Sequence, residues 1–419
     1  MKASTMKMIN NSTAGRQETV SRRDFFRVAS AYGLSSTMLA ATALGSFSLP
    51  QLAQAAEENS KRRYKKAVRH TLTFGASGLN EKSLLIERAG CIDFLKDVED
   101  RTDGEIRIEF IGDNQICGQL NCVKKAQQGI VDMFTASTQN SAGSAPYLNV
   151  LDYAYMFPNR ASQYYFLYHP DSQKILRDPL RTKHGLHFLF SHCELRGLQM
   201  GLGWKDKPLI TSIDQLRGTK NRVTGTQLGR IAMQLLELNP VPIAWSETLD
   251  GLKQGLIDGA ETWASAVAYA NMAPVVSQSV DLRFFCGTEA TIMSASIFDS
   301  FSGELQDAVM ESAYLTQVKI QAAQEAALVN TVGATTPSFP GTLFEKYGVR
   351  MASLSDEERA KAERICAPEF NPEPWTKWRD RLDKWSGGQD TYASIHKIAR
   401  EIPRDMLAEN VEPRRWWKG

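Results

Sequence analysis

The chain has 419 residues, too many for one small domain and enough for two or three lobes. Its composition, 42% hydrophobic and 23% charged, is that of a globular protein and excludes a fibrous or wholly disordered chain. The 49 Lys and Arg residues nearly balance the 47 Asp and Glu residues, so the chain lacks the broad basic face that nucleic acid requires. No nucleic-acid partner is therefore expected.

The first 55 residues resemble an export signal. They carry six cations and two anions, and no charge follows Arg27 until Glu57. Residues 21–26 (SRRDFF) resemble the twin-arginine signal, and residues 53–55 (AQA) match an A-x-A cleavage site. We predict a cleaved twin-arginine-type signal peptide at 1–55 and a periplasmic mature protein. An amphipathic N-terminal helix or a retained anchor is the alternative.

The body alternates predicted strands and helices after a basic leader at 56–69. No further apolar run approaches the roughly 18 residues that a membrane span needs. Period-2 and helical spacings predict, in chain order, a strand at 70–74, a helix at 84–98, a strand at 105–111, a helix ended by Gly129 and a strand at 130–137. This order is typical of a mostly parallel α/β sheet.

A short phrase recurs in the body. Residues 128–132 (QGIVD) match residues 254–258 (QGLID). In both copies a Gly suits the left-handed position that ends a helix, and two apolar residues begin a strand. The repeat predicts two similar α/β lobes. Because ligands bind beyond the carboxyl ends of strands in such sheets, residues 135–140 and 261–263 are expected to line a cleft between the lobes.

Helix-forming residues dominate after residue 300. A long helix is predicted at 302–330, residues 343–349 interrupt the helical pattern, and residues 355–358 begin another helix with acids in its first turn. We therefore expect a helical C-terminal region.

The six cysteines leave disulfide pairing open. Cys117 and Cys122 are near neighbours, and their spacing fits neither a redox motif nor a zinc knuckle. A local disulfide is one alternative, and isolated buried thiols are the favoured one. His187 and His192 fall on opposite faces of a predicted strand, so we predict no metal site there. The chain also lacks the usual phosphate-loop, nucleophile-elbow, zinc-protease and dinucleotide motifs, so no catalytic residue or cofactor is predicted.

Several ordered phrases resemble one protein family. They are residues 216–222 (LRGTKNR), 239–242 (NPVP), 246–247 (SE) and 254–261 (QGLIDGAE). Together they resemble the solute-binding subunits of tripartite ATP-independent periplasmic (TRAP) transporters, the DctP-like family. Weaker likeness extends from residue 70 to about residue 365.

The resemblance implies an α/β, two-lobed periplasmic-binding-protein fold with a ligand cleft between the lobes. The first lobe is expected at 70–195 and the second at 196–285, while 286–419 returns to the first lobe and adds long connecting helices and a C-terminal tail. The implied function is capture of a small organic acid by cleft closure and delivery to the TRAP membrane subunits. The protein is then not an enzyme, and it is a monomer or homodimer.

The resemblance also implies a residue that binds the ligand. Arg222 occupies the arginine position of the family's K-x-R phrase, where it clamps the ligand carboxylate. A planar guanidinium presents paired donors that match a carboxylate, which a lysine cannot do.

Further residues follow from the same resemblance. Trp245 falls where the family places an aromatic against the ligand, and Thr262, followed by Trp263, replaces an Asn that is frequent in the family. Gln199 and Glu261 resemble a branch that binds 2-oxo acids together with a cation, so such a cation is an alternative that we do not expect. The predicted ligand-binding set is Arg222, Arg196, Gln199, Trp245, Glu261, Thr262 and Trp263.

Two other functions are kept as alternatives. A periplasmic cofactor-dependent oxidoreductase would also be exported folded by the twin-arginine route, but it would need a cofactor motif or a metal cluster. A binding protein that serves a sensor instead of a transporter would use the same cleft.

Overall fold

The computed structural model describes residues 64–418. The predicted signal peptide at 1–55, its cleavage site and the first part of the basic leader lie outside these residues. The chain from Ala67 onward forms one unit through its internal contacts. No helix within residues 64–418 has both the length and the apolar character that crossing a membrane requires.

The described chain contains nine strands in one mixed sheet. They are β1 (His70–Ala76), β2 (Ile106–Ile111), β3 (Met133–Ser137), β4 (Leu186–Gly201), β5 (Lys220–Val223), β6 (Asn239–Pro242), β7 (Gly259–Trp263), β8 (Val276–Ser294) and β9 (Arg350–Ala352). The order across the sheet is β2-β1-β3-β8-β4-β7-β5-β6, and β9 pairs with β8.

Two long antiparallel strands, β4 and β8, join the lobes. On one side β8 pairs with β3, which continues into the parallel strands β1 and β2. On the other side β4 pairs with β7, which continues into the parallel strands β5 and β6. The predicted α/β, two-lobed fold is confirmed. The predicted lobe boundaries at residues 195 and 285 fall inside the shared strands, and they stay a prediction.

The α-helices of the described chain connect these strands and continue beyond them. They are α1 (Ile86–Ala89), α2 (Cys91–Arg101), α3 (Cys122–Gln127), α4 (Thr138–Ser141), α5 (Arg160–Tyr168), α6 (Asp178–His184), α7 (Gln227–Leu235), α8 (Trp245–Lys253), α9 (Ala264–Tyr269), α10 (Ala295–Asp299), α11 (Gly303–Ala327), α12 (Leu343–Tyr347), α13 (Asp356–Cys366), α14 (Thr376–Trp385) and α15 (Thr391–Ile398).

The repeated phrase has the same structure in both lobes. Its glycines adopt φ values of 69° and 70° at the end of a helix. A carboxylate oxygen of Asp132 accepts a hydrogen bond from the backbone of Thr73 in β1 at 2.7 Å. A carboxylate oxygen of Asp258 accepts one from the backbone of Lys220 in β5 at 2.8 Å. Each Asp therefore ties a new strand to its parallel neighbour, and strands β3 and β7 begin directly after it.

The helix predicted at 84–98 is broken into α1 and α2. Gly90 separates them with a φ of 69°. A Cβ at Gly90 would lie 2.5 Å from Thr316 and 2.6 Å from Ile320, both in α11. The long helix therefore requires a glycine where it crosses this segment.

The region after β8 contacts both lobes. A hydrophobic cluster of the second lobe that contains Leu252 and Ile257 also contains Phe344 of α12 and Val349. By contrast, Trp375 is fully buried in the large core that includes the first lobe. The expected helical C-terminal region is present, and Ser302 caps the start of its long helix, α11, by accepting a hydrogen bond from Leu305 N.

Candidate functional site

Arg222 is a buried cation near the end of β5. Its side chain is 1% exposed, although guanidinium groups rarely leave water without an anionic partner. Nε donates to the carbonyl oxygen of Ile243 and Nη1 to that of Glu261, both at 3.3 Å. Its guanidinium carbon lies 5.1 Å from the ring centre of Trp245. Within residues 64–418 no carboxylate forms an ion pair with Arg222.

Arg222 remains charged at neutral pH despite its burial. Burial lowers the pKa of its guanidinium to about 10, and the negative charge of Glu261 opposes that shift. A buried charge without an ionic partner is costly. This position is therefore suited to receive an anion.

Arg196 in β4 is also buried, but its charge is balanced. Its Nε and Nη2 donate to the two carboxylate oxygens of Glu261, the second at 2.9 Å. Both side chains of this ion pair are nearly inaccessible to water, at 2% and 1% exposure. The guanidinium carbon also lies 4.8 Å from the ring centre of Trp263.

The two arginines converge on one backbone atom. The carbonyl oxygen of Glu261 accepts a hydrogen bond from Arg222 Nη1 and another from Arg196 Nη2, each at 3.3 Å. Glu261 lies in β7, between the strands that carry the two arginines. Two guanidinium groups therefore lie side by side, and only one has a carboxylate partner among the described residues.

Asp152 is a second acid near this pair that the sequence reasoning missed. It is 1% exposed, and neither carboxylate oxygen has a hydrogen-bond partner among residues 64–418. Burial raises the pKa of Asp152 well above its ordinary value, while Arg196 opposes and Glu261 reinforces the shift. Its neutral form is therefore favoured. The available signal was a lone acid within the apolar run 147–157.

Aromatic rings surround the arginines. The rings of Trp245 and Tyr269 lie 6.2 Å apart, and those of His192 and Trp263 lie 5.3 Å apart. Trp245 also approaches the first lobe, because a Cβ at Gly78 would lie 3.9 Å from its ring. A small cavity in this region is lined by Ser77, Leu79, Leu85, Ala89, His192, Tyr269 and Glu289.

Polar contacts join the lobes beside this region. Thr224 Oγ1 donates to Gln139 Oε1 at 3.2 Å, and the backbone of Gly225 donates to Asn140 Oδ1 at 3.3 Å. These residues follow the carboxyl ends of β5 and β3, one strand in each lobe. Gln139 and Asn140, which belong to the segment expected to line the cleft, therefore contact the second lobe at these strand ends.

A disulfide closes a loop of the first lobe near the cleft. It joins Cys117 and Cys122, so the favoured expectation of isolated thiols is wrong for this pair. The spacing alone could not reveal that the fold brings the two residues together. The other four cysteines of the chain (Cys91, Cys193, Cys286 and Cys366) are free and buried.

Metal-binding geometry is not found in the described part of the chain. No group of three or more His, Cys, Asp or Glu residues between residues 64 and 418 could hold an ion. Both carboxylate oxygens of Glu261, the acid considered for a cation, accept hydrogen bonds from Arg196. His187 instead stacks on Phe298.

A family model supplies the identification. The model described as bacterial extracellular solute-binding protein, family 7 (DctP), matches residues 77–365. The chain belongs to this family. DctP proteins bind solutes, which supports the binding-protein interpretation over the oxidoreductase alternative.

The curated relatives that this chain matches are distant in sequence. The chain is 26% identical over 187 residues to the uncharacterized protein YiiZ of Salmonella typhimurium, covering 42% of this chain and 53% of the relative. It is 24% identical over 225 residues to the 2,3-diketo-L-gulonate-binding periplasmic protein YiaO of Escherichia coli, covering 52% of this chain and 64% of the relative. The matches thus span between about half and two thirds of these relatives.

Solved structures of DctP-type proteins share the fold. A TRAP periplasmic solute-binding protein of Bordetella bronchispeptica, with density attributed to pantoate, has a TM-score of 0.65 at 18% identity and covers 80% of this chain and 100% of its own. The sugar acid binding protein DctPAm of Advenella mimigardefordensis, in complex with galactonate, has a TM-score of 0.65 at 19% identity, covering 80% and 99%.

The structure brings most of the predicted DctP-like ligand set together. Arg222, Arg196, Trp245, Glu261 and Trp263 meet around the carbonyl oxygen of Glu261 or pack on the two guanidinium groups. The roles of these residues in binding stay a prediction.

Two members of the set are placed differently. Gln199 borders a separate cavity of about 370 Å³ together with Arg160 and Asp281. Thr262 pairs with Gly197 of β4, and its side chain makes no hydrogen bond to another described residue.

Proposed function

We propose that this DctP-family protein is the periplasmic solute-binding subunit of a TRAP-type transporter. It captures a small organic acid between its lobes and delivers that acid to the membrane subunits. It is not an enzyme. The mature protein is a monomer or homodimer in the periplasm, reached through the twin-arginine signal at 1–55.

One observation carries this proposal. Arg222 is buried, charged and without a carboxylate partner in residues 64–418, and its two hydrogen bonds go only to backbone carbonyls. Neutral carbonyl oxygens balance a full positive charge poorly, whereas a carboxylate accepts charge-assisted bonds from the same group. A ligand carboxylate at Arg222 would supply the missing negative charge.

The neighbouring residues support a fixed geometry for that contact. Trp245 lies over the Arg222 guanidinium, and Arg196 with Glu261 holds the adjacent backbone through a buried ion pair. A guanidinium held on several sides loses little conformational freedom when a ligand binds, so more of the interaction energy contributes to affinity.

The ligand class follows from these charges and from the relatives. Solved proteins of similar fold carry galacturonate, glucuronate, D-erythronate or succinate, and all of these are organic acids. We extend that class, though no single member of it, to this chain.

A thermal-shift screen tests the proposal. Mature protein is heated with succinate, D-galactonate, D-glucuronate and D-erythronate, and with the neutral amide of each acid as its matched control. An acid at 100 times its dissociation constant should stabilise the protein by about 2.7 kcal/mol, and its amide should not. Small-angle scattering at saturation should show a smaller radius of gyration as the lobes close. Equal shifts with acids and amides, or none with either, would contradict the proposal.

A further inference from the structure

The disulfide loop of the first lobe is a short, ordered turn. It contains residues 118–121 between Cys117 and Cys122, and Asn121 Oδ1 accepts a hydrogen bond from Gly118 N at 2.9 Å. Strand β1 leaves room for the bridge, because a Cβ at Gly75 would lie only 2.8 Å from Cys117 Sγ. The bridge therefore fixes this loop against the strand.

Gln119 is the residue that this loop presents to the cleft. Its Oε1 accepts hydrogen bonds from Ser137 N at 2.8 Å and from Asn140 Nδ2 at 3.3 Å. Its Nε2 donates to Glu289 Oε1 at 3.2 Å. One amide thus joins the end of β3, the short helix after it and the shared strand β8.

The Gln119 network continues into the second lobe. The Asn140 amide donates to Gln119 through Nδ2. Through its Oδ1 the same amide accepts the hydrogen bond from Gly225 N at 3.3 Å. Leu120 of the same loop reaches the same glycine, because a Cβ at Gly225 would lie 3.4 Å from Leu120 Cδ2. The loop therefore contacts the second lobe both directly and through Asn140.

We propose that Gln119 is a positioning residue that holds the contact between the lobes at Asn140 and Gly225, and that the Cys117–Cys122 disulfide acts on the cleft through Gln119. This inference rests on the proposed cleft and deepens it. Gln119 orients the Asn140 amide so that its oxygen faces Gly225. The disulfide keeps Gln119 within reach of Asn140.

In this proposal the disulfide acts on the folded cleft and not only on stability. A bridge that closes a short loop constrains the unfolded chain less than one that closes a long loop. In the folded state the bridge has a specific consequence, because its two cysteines flank Gln119, which forms hydrogen bonds with Ser137 and Asn140 beside the cleft.

Amide hydrogen exchange at Gly225 tests the inference without a ligand. Gln119→Ala should speed exchange of the Gly225 amide by about 2- to 13-fold, the range for loss of one ordinary hydrogen bond. Removing the bridge with Cys117→Ser and Cys122→Ser should give a similar increase. The triple variant should be no faster than the double variant, because the bridge acts through Gln119. Gln127→Ala, an exposed glutamine bonded to His184 O, is the matched control and should change nothing.

Binding supplies a second readout. The acid that most stabilises the wild type in the panel of succinate, D-galactonate, D-glucuronate and D-erythronate should bind Gln119→Ala and the bridge variant more weakly, again non-additively. Unchanged Gly225 exchange in Gln119→Ala, or additive effects in the triple variant, would overturn the inference even if the acid binds. If exchange changes as expected but no acid binds the wild type, the proposed function fails and the positioning role stands.

Discussion

The two buried arginines of the cleft differ in what balances their charge. Arg196 has the carboxylate of Glu261, whereas Arg222 has backbone carbonyls only. A paired buried charge contributes to the folded state mainly because removing its partner is costly. An unpaired one is a cost that a ligand can remove. Substitution of Arg196 should therefore cost the free protein more stability than substitution of Arg222.

Arg196→Ala should destabilise the free protein. It leaves the buried Glu261 carboxylate without its counter-ion, which typically costs about 3–5 kcal/mol. Urea denaturation at pH 7 measures the free energy of unfolding. Adding Glu261→Gln should restore part of the loss, because the stranded charge is then gone. Arg217→Ala, at an exposed ion pair in the same lobe, is the control and should cost at most about 1 kcal/mol. Equal losses of stability in Arg196→Ala and Arg217→Ala would contradict this prediction.

Asp152 should make stability depend on pH. Its folded-state pKa is raised above the ordinary 3.8, so the folded protein holds a proton that the unfolded chain releases. The contribution of this proton to the free energy of unfolding is therefore fully present below about pH 3.8. Above that pH it falls by about 1.4 kcal/mol per pH unit until the folded-state pKa of Asp152 is reached. Asp152→Asn removes this dependence.

Urea denaturation at several pH values checks the Asp152 prediction. Relative to wild type, Asp152→Asn should gain free energy of unfolding as the pH rises above about 3.8. A difference between the two proteins that stays constant over this range would show that Asp152 ionises normally in the fold.

At the scale of elements, the crossing of α11 over the break between α1 and α2 requires Gly90. Gly90→Ala should lose about 1–2 kcal/mol for the left-handed backbone, and about 1–3 kcal/mol more from contact with Thr316 and Ile320. Gly129→Ala is a matched control, because Gly129 has the same φ of 69° and no atom within 4 Å of its added Cβ. Denaturant unfolding should separate the two variants. Equal losses would mean that the crossing is not tight.

Local sequence predicted the elements whose determinants are local. The strands at β1 and β2 follow from alternation, and the equivalence of the lobes follows from a phrase whose Asp makes the same backbone bond in each copy. The break at Gly90 was not predictable, because its cause lies in Thr316 and Ile320 of α11, more than 220 residues later. Hydrophobic periodicity carries no information about such a distant crossing.

The candidate site likewise contains residues that local sequence indicates and residues that depend on distant contacts. Arg222 was predicted to bind the ligand because it lies in a recognisable phrase, and the predictions for Trp245 and Glu261 followed from nearby phrases. Asp152 was missed because its significance depends on the lack of a hydrogen-bond partner in the described part of the fold. Gln119 was missed because it contacts Glu289, which lies far along the chain. The Cys117–Cys122 bridge was left open for the same reason, since its spacing matches no motif.

At the scale of the whole molecule, we expect the predicted signal peptide at 1–55 to determine where the protein acts. Arg22→Lys combined with Arg23→Lys should leave full-length precursor in the cytoplasm, because twin-arginine export requires both arginines. Cell fractionation and intact-mass measurement check this, and exported wild type should begin near residue 56. Normal export of the variant would rule out the twin-arginine assignment.

We propose above all that the buried guanidinium of Arg222 holds a ligand carboxylate between the two lobes. Titration calorimetry of Arg222→Ala with the acid that stabilises the wild type tests it most directly. Loss of one partner of a buried charge pair costs about 2–5 kcal/mol, so affinity should fall about 30- to 4,000-fold. Arg222→Lys should recover only part of that affinity, because it keeps the charge but loses the paired donors.

The same titration includes its controls. Arg217→Ala should bind as the wild type does, and circular dichroism should show that Arg222→Ala is folded. In the free protein Arg222→Ala should lose less stability than Arg196→Ala, because no carboxylate is left without a partner. A folded Arg222→Ala variant should bind the acid weakly. Binding of the acid to that variant as tightly as to the wild type would contradict the proposal.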